Sequence, residues 1–133
     1  MKRPILAFLA GLATWVLVVS LLNRGLRVAL EGYAAAEPKM TFTLGMQAAR
    51  LAIAAITSLV AGAVVGWIAR PSARVAWVLG AVLLAAFIPE HVRLWNLFPL
   101  WYHLSFLVTL VPLIVLGSWL TRARTTGKLV GVG

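Results

Sequence analysis

Side chains that could bind a ligand or move a proton are concentrated between positions 89 and 103 of the chain. This stretch reads PEHVRLWNLFPLWYH and contains both histidines of the protein. Carboxylate, imidazole and guanidinium groups are costly in nonpolar surroundings unless they are paired or hydrated, so a cluster of them is a candidate functional site. With two more ionisable residues that we expect at the same end of the molecule, the candidate set is Glu90, His91, Arg93, His103, Arg50 and Glu31.

Two interpretations of this set involve no catalysis. In the structural interpretation, Glu90 and Arg93 form an ion pair at the i,i+3 spacing of a helix. Arg50 then pairs with Glu31 or with Glu90. In the second interpretation, the same groups form a pocket that binds a lipid head group, a small ion or an anionic ligand. Residue types alone do not separate these two possibilities.

Metal binding and catalysis have less support in the sequence. His91, His103 and Glu90 could hold a metal or a haem, but haem ligands must face each other across a plane, which two histidines near one short hairpin do not ensure. The chain has no cysteine, no aspartate and no HExxH motif. It also has no nucleophile elbow for serine–histidine–acid catalysis. We therefore expect no enzymatic activity, no cofactor and no bound metal.

The composition indicates what kind of protein must position these residues. Of the 133 residues, 62% are hydrophobic and 11% are charged, whereas soluble domains have about 45–50% apolar and about 25% charged residues. A soluble monomer of this composition would expose large apolar patches to water, which is rare. The composition excludes a disordered chain, and the lack of cysteine excludes a secreted disulfide scaffold. An integral membrane protein remains.

Four apolar stretches separated by charged residues have about the length of a membrane-spanning helix, which needs about 20 residues. The apolar runs are continuous rather than alternating, which favours helices over a β-barrel. The sequence therefore predicts an all-α fold: a single four-helix transmembrane bundle with up-down topology over residues 1–133. The predicted spans are about 4–23, 44–69, 75–95 and 101–121, with an outer loop at about 24–43.

For two of these spans, the apolar run does not determine where the helix ends. The third run has only fifteen uncharged residues, 75–89, so either the bilayer thins locally or the helix continues past Pro89 towards Glu90. After the first run, Leu26, Leu30 and Tyr33 share one face of a helix. This pattern predicts a short amphipathic helix that lies on the interface or prolongs the first span.

The charges predict the orientation of the protein and one class of partner. The net charge is +9, with seven cations and no acid at the predicted end that holds both termini, against five cations and three acids at the other end. Lys and Arg concentrate on the cytoplasmic side, so we expect a multi-pass protein of the bacterial inner membrane with both termini cytoplasmic. The cations there would contact anionic lipid head groups. They form no contiguous basic face, which argues against nucleic-acid binding.

Small residues are arranged to bring helices close together. Ala54, Ser58, Gly62 and Gly66 recur every four residues in the second span and form one ridge, which ends in a GxxxG pair. In lipid, helices associate through such ridges. The ridge could pack inside the bundle, or it could form the seam of a homodimer.

Three segments resemble parts of small uncharacterised bacterial four-helix membrane proteins. They are AEPKMTFT at 36–43, ARLAI at 49–53 and LWNLFPLWYHL at 94–104, so the resemblance covers about residues 34–112. It implies the same four-span architecture and no assigned activity.

The sequence therefore leaves several functions to compare. The leading hypothesis is a non-enzymatic accessory, scaffold or assembly component of the bacterial inner membrane, with a membrane-protein partner or a homo-oligomer. The alternative is a small transporter or ligand-binding membrane protein that uses the Glu/His/Arg cluster. A redox or metal protein is the third possibility.

Overall fold

The computed structural model describes residues 2–36, 38, 42–69 and 74–132, and the side chains of 3–36, 38, 42–69 and 74–121. These ranges contain helices and turns and no strand. The helices are α1 (Lys2–Ala29), α2 (Tyr33–Ala36), α3 (Leu44–Ile68), α4 (Arg74–Arg93) and α5 (Leu100–Val132).

Four of these helices are long and apolar enough to cross a membrane. The qualifying segments are Arg3–Ala29, Leu44–Ile68, Arg74–Arg93 and Leu100–Thr121. Each has at least the roughly 20 residues that the hydrocarbon core of a bilayer requires. This confirms the predicted all-α four-helix transmembrane bundle. The chain is a multi-pass membrane protein.

The four spans alternate in direction, so α3 and α5 run parallel to each other and form the most extensive interface of the bundle. Helix α1 packs mainly on α3, and α4 packs mainly on α5. A buried hydrogen bond fixes α1 against α3, because Trp15 Nε1 donates to Ser58 Oγ at 3.2 Å. Ser58 Oγ in turn donates to the Ala54 carbonyl at 2.8 Å.

Glycines on α3 and α5 allow these two helices to approach closely. A Cβ atom on Gly62 would collide with the backbone of Ile114, and one on Gly66 would collide with the backbone of Ser118. Gly117 makes the reciprocal approach from α5 to the α3 backbone. The small-residue ridge therefore packs inside the bundle, which was one of the two predicted arrangements. It is not available as the seam of a homodimer, which was the other.

Two helix ends lie beyond the predicted spans. Helix α1 continues to Ala29, so the amphipathic stretch prolongs the first span, and residues 24–29 of the predicted outer loop are helical. Gly32 then turns the chain with φ +82°, a left-handed conformation that favours glycine. Helix α4 continues past Pro89 to Arg93, which is the second of the two predicted possibilities for the third span.

Candidate functional site

A cavity of about 150 Å³ lies at the end of the bundle where α3 and α5 begin and α4 ends, which we call the cavity end. Its polar lining consists of Arg50, Glu90, His91, Arg93, Tyr102 and His103. Its apolar lining consists of Phe87, Leu94, Phe98 and Phe106. This volume is enough for several water molecules or a small organic molecule.

The cavity brings together five of the six candidate residues that the sequence suggested. The sixth, Glu31, is exposed in the turn between α1 and α2 and does not line the cavity. The reason is local geometry: α1 ends at Ala29, and the turn at Gly32 directs Tyr33 rather than Glu31 into the protein, where Tyr33 is fully buried.

Arg50 lies in the second turn of α3 and is held by aromatic side chains. Its Nε donates to the Tyr102 hydroxyl at 3.1 Å, and its Nη1 donates to the Tyr33 hydroxyl at 2.9 Å. Tyr33 donates onward to Asn23 Oδ1 at 3.0 Å. The guanidinium carbon lies 4.7 Å from the centre of the Phe42 ring, in cation–π geometry. These contacts fix the position of the guanidinium group, and Arg50 lines the cavity.

Arg50 does not form either of the ion pairs that the structural interpretation predicted. Among the described side chains, no carboxylate lies within salt-bridge distance of its guanidinium group. Glu90 instead pairs with Arg93, with a distance of 2.6 Å between Oε2 and Nη2, which confirms the predicted i,i+3 pair. Glu37 lies outside the described residues. The described lining thus carries one cation that is not matched by an acid.

The two histidines form a buried pair beside Arg50. Their Nδ1 atoms are 2.6 Å apart, and the exposed fractions are 8% for His91 and 0% for His103. His103 Nε2 is 3.3 Å from the Trp95 carbonyl oxygen, and its ring stacks on the Trp95 ring at 4.8 Å. On its other side the His91 ring contacts Phe106, with 4.8 Å between ring centres.

The hydrogen-bond network assigns the protons of this pair. A carbonyl oxygen only accepts, so His103 Nε2 carries a hydrogen and donates it to Trp95. In a neutral ring the His103 Nδ1 then has no hydrogen, and it accepts from the Nδ1–H of His91. His91 Nε2 is left with a free lone pair, and His91 lines the cavity.

A short connection between α4 and α5 brings the histidines together. The six residues 94–99 form turns, in which Leu94 N donates to the Glu90 carbonyl and Tyr102 N donates to the Pro99 carbonyl. Such a short link makes α4 and α5 antiparallel neighbours. His91 lies in the last turn of α4 and His103 in the first turn of α5, so the hairpin places them side by side.

Sequence reasoning did not assign the two tyrosines to the site. Tyrosine is enriched at membrane interfaces, so Tyr102 in itself does not indicate a binding site, and Tyr33 was part of the predicted amphipathic helix face. Both are buried, at 5% and 0% exposed, and both bind Arg50. The one available signal was that Tyr102 directly precedes His103 in the sequence. A hydroxyl at that position can contact a polar group on a neighbouring helix, as it does with Arg50 on α3.

This arrangement can bind an anion better than a metal ion. Among the described residues, no three His, Cys, Asp or Glu side chains come together as metal ligands. The unmatched charge of Arg50 also repels a cation.

Comparisons with family models, with curated proteins and with solved structures find no match to this chain. The resemblance to small bacterial four-helix membrane proteins stays a prediction.

Proposed function

We propose that this protein is a ligand-binding membrane protein that takes a small organic anion in the cavity. The observation that carries the proposal is the half-buried cation of Arg50, which has two phenols and an aromatic ring around it and no carboxylate partner in the described part of the chain. A charge removed from water is costly unless an opposite charge balances it. Phenol hydroxyls supply hydrogen bonds to the guanidinium group but no negative charge.

The donor count at Arg50 supports the same proposal. A guanidinium group has five N–H donors, and the described phenols use two of them. The remaining N–H groups suit the paired oxygens of a carboxylate, which Arg binds in a fork geometry. Three phenylalanines, Phe87, Phe98 and Phe106, line the rest of the cavity and suit an apolar ligand body. We therefore expect an aromatic or short aliphatic carboxylate.

The binding of benzoate to the purified protein in lipid nanodiscs tests this proposal. Benzoate should bind saturably, whereas benzamide, its uncharged analogue, should bind weakly because it does not neutralise Arg50. Arg50→Gln should weaken benzoate binding about ten- to a hundredfold, the loss of a charge-assisted contact. If the wild type does not bind benzoate, or if Arg50→Gln binds it equally well, the proposal is wrong.

Two control variants make this test specific. Arg24→Gln removes an exposed arginine that does not line the cavity, and it should leave the affinity for benzoate unchanged. Glu37→Gln removes the acid that lies outside the described residues. If that acid neutralised Arg50, the Glu37→Gln variant would bind benzoate more tightly than the wild type. The partner of Arg50 would then be the Glu37 carboxylate rather than a ligand.

An accessory or scaffold role is the rival proposal. It is supported by the large share of the described chain that lies in spans, and by exposed apolar residues on α1 such as Leu9, Val16 and Leu17. Lipid tails can cover this face as well as a partner helix can, so the cavity is the more specific observation. Recovery of a second membrane protein with the purified chain, together with no benzoate binding, would favour the rival.

A further inference from the structure

We infer that the cavity binds its anion together with one proton, which is held by the His91–His103 pair. This inference rests on the proposed anion binding, and it names a second bound species that the proposed function does not require. The pair lies in the same cavity lining as Arg50, so a charge on the pair and a charge on a ligand bound to Arg50 must interact.

The pair has room for one added proton. In the neutral pair, one hydrogen lies on His103 Nε2 and one lies between the two Nδ1 atoms, so His91 Nε2 is the remaining basic nitrogen. A proton added there leaves both existing hydrogen bonds intact. A further proton, on His103 Nδ1, would place two N–H donors against each other at 2.6 Å. The capacity of the pair is therefore one.

His91 Nε2 is also the atom that is free to use that proton. No hydrogen bond among the described residues involves it, although His91 as a whole is only 8% exposed. Without the proton, the lone pair of His91 Nε2 repels an anion bound in the cavity. With the proton, it becomes an N–H donor that can bind a carboxylate oxygen beside Arg50. The ligand then meets a guanidinium group and an imidazolium group.

The charged groups around the pair determine when this proton is taken up. Arg50 on α3 repels it, and burial of the pair disfavours a second cation in the cavity. Glu90 on α4 attracts it, but Glu90 is already paired with Arg93. Among the described residues, the groups that line the cavity with the pair are Arg50 on α3, Glu90 and Arg93 on α4, and Tyr102 on α5.

A bound anion reverses this balance. The carboxylate neutralises Arg50 and adds a negative charge next to His91, so the proton is favoured once the anion is present. The step is an anion and a proton entering together: hydronium or a buffer acid gives up the proton as its own bond to hydrogen breaks, an N–H bond forms at His91 Nε2, and the net charge of the cavity is unchanged. By linkage, each of the two must then strengthen the binding of the other.

Calorimetric titration of the protein in nanodiscs with benzoate measures the coupling. Repeating the titration in buffers of different ionisation enthalpy gives the number of protons taken up, which we expect to approach one. Histidines titrate between about pH 5 and 8. As the pH rises through this range, the affinity for benzoate should fall by up to about tenfold for each pH unit, because the proton that binds with it becomes scarcer. Binding without proton uptake would overturn the coupling and leave the proposed function standing. No binding would overturn both.

Two variants assign the proton to the pair. His91→Gln should still bind benzoate through Arg50 but with no proton uptake and with an affinity independent of pH. Glu31→Gln, which removes an exposed carboxylate that does not line the cavity, should retain the uptake. If His91→Gln also retains the uptake, the inference is wrong. The thermal melting temperature of each variant shows whether it is folded.

A measurement on the wild type keeps the inference testable if His91→Gln does not fold. Nitrogen NMR of labelled histidine side chains distinguishes a ring nitrogen that carries hydrogen from one that does not. Benzoate should convert one histidine nitrogen, His91 Nε2, from the unprotonated to the protonated form, while His103 Nε2 stays protonated throughout. An unchanged spectrum at saturating benzoate contradicts the inference.

Discussion

Arg50 and Tyr102 make a side-chain contact that joins the second turn of α3 to the first turn of α5 at the cavity end. The Tyr102 ring also stacks on Phe98, with 4.4 Å between ring centres, and it is 5% exposed. Among the described residues, the Tyr102 hydroxyl makes one hydrogen bond, which it accepts from Arg50 Nε at 3.1 Å. A hydrogen bond to a charged group is stronger than one between neutral groups.

Tyr102→Phe tests the energy of this contact, because it removes the hydroxyl and keeps the ring. We expect it to lower the free energy of unfolding by about 1–3 kcal/mol, since a partly buried charged donor on Arg50 loses its acceptor. Unfolding by denaturant in mixed micelles, followed by circular dichroism, measures the change. Trp101→Phe alters an exposed aromatic residue in the same turn and should have little effect. Equal stabilities of the Tyr102→Phe and Trp101→Phe variants would contradict this account.

At the residue scale the sequence identified most of the cavity's ionisable groups but not all of their contacts. Glu90 and Arg93 were predictable because their pairing depends only on helical spacing. The partners of Arg50 were not, because they depend on how α2 and α5 are placed relative to α3. Tyr33 reaches Arg50 only after the chain turns at Gly32, and a sequence pattern does not encode the direction of that turn.

At the scale of elements, the close contact of α3 and α5 sets the geometry of the cavity, since Arg50 lies on one helix and Tyr102 and His103 lie on the other. Gly62 and Gly66 allow the approach further down the same two helices. In lipid, where apolar side chains gain little by leaving their surroundings, the packing of such small residues is a main source of helix association.

Gly62→Ala should therefore destabilise the bundle, because its Cβ would collide with the Ile114 carbonyl on α5. The expected loss is about 1–3 kcal/mol in the free energy of unfolding, as for overpacking elsewhere. Gly25→Ala is the matched control, since nothing lies within 4 Å of a Cβ at Gly25. It should leave stability unchanged or raise it by up to about 1 kcal/mol through helix propensity. A Gly62→Ala variant as stable as the Gly25→Ala variant would show that the helices can separate at no cost.

The elements themselves were largely predictable from the sequence, because span length follows from the thickness of a bilayer and from continuous apolar runs. The ends were less predictable. Helix α1 extends to Ala29 because an amphipathic stretch can continue a helix out of the apolar region. Helix α4 passes Pro89 and ends at Arg93, although proline has no N–H group to donate to the preceding turn. Hydropathy marks where a span leaves lipid, not where a helix stops.

For the whole molecule, the two ends of the bundle differ in charge. Among the described residues, the cavity end carries Glu31, Glu90 and both histidines, whereas the opposite end, with Arg3 and Arg74, carries cations and no acid. Arg3 there donates from Nε to the Ile68 carbonyl at 2.7 Å, which joins the start of α1 to the end of α3. We propose that this cationic end faces the cytoplasm of a bacterial cell and its anionic lipids, and that the cavity opens on the outer side.

Single cysteines test this orientation, since the chain has none of its own. Ala34→Cys places a thiol in exposed α2 at the cavity end, and Ser72→Cys places one between α3 and α4, outside the described residues. A membrane-impermeant thiol reagent added to spheroplasts should label Ala34→Cys and not Ser72→Cys, and it should label both after detergent treatment. Labelling of Ser72→Cys alone would reverse the orientation. Labelling of both in intact spheroplasts would contradict the up-down arrangement of the spans, because α3 would no longer separate the two positions.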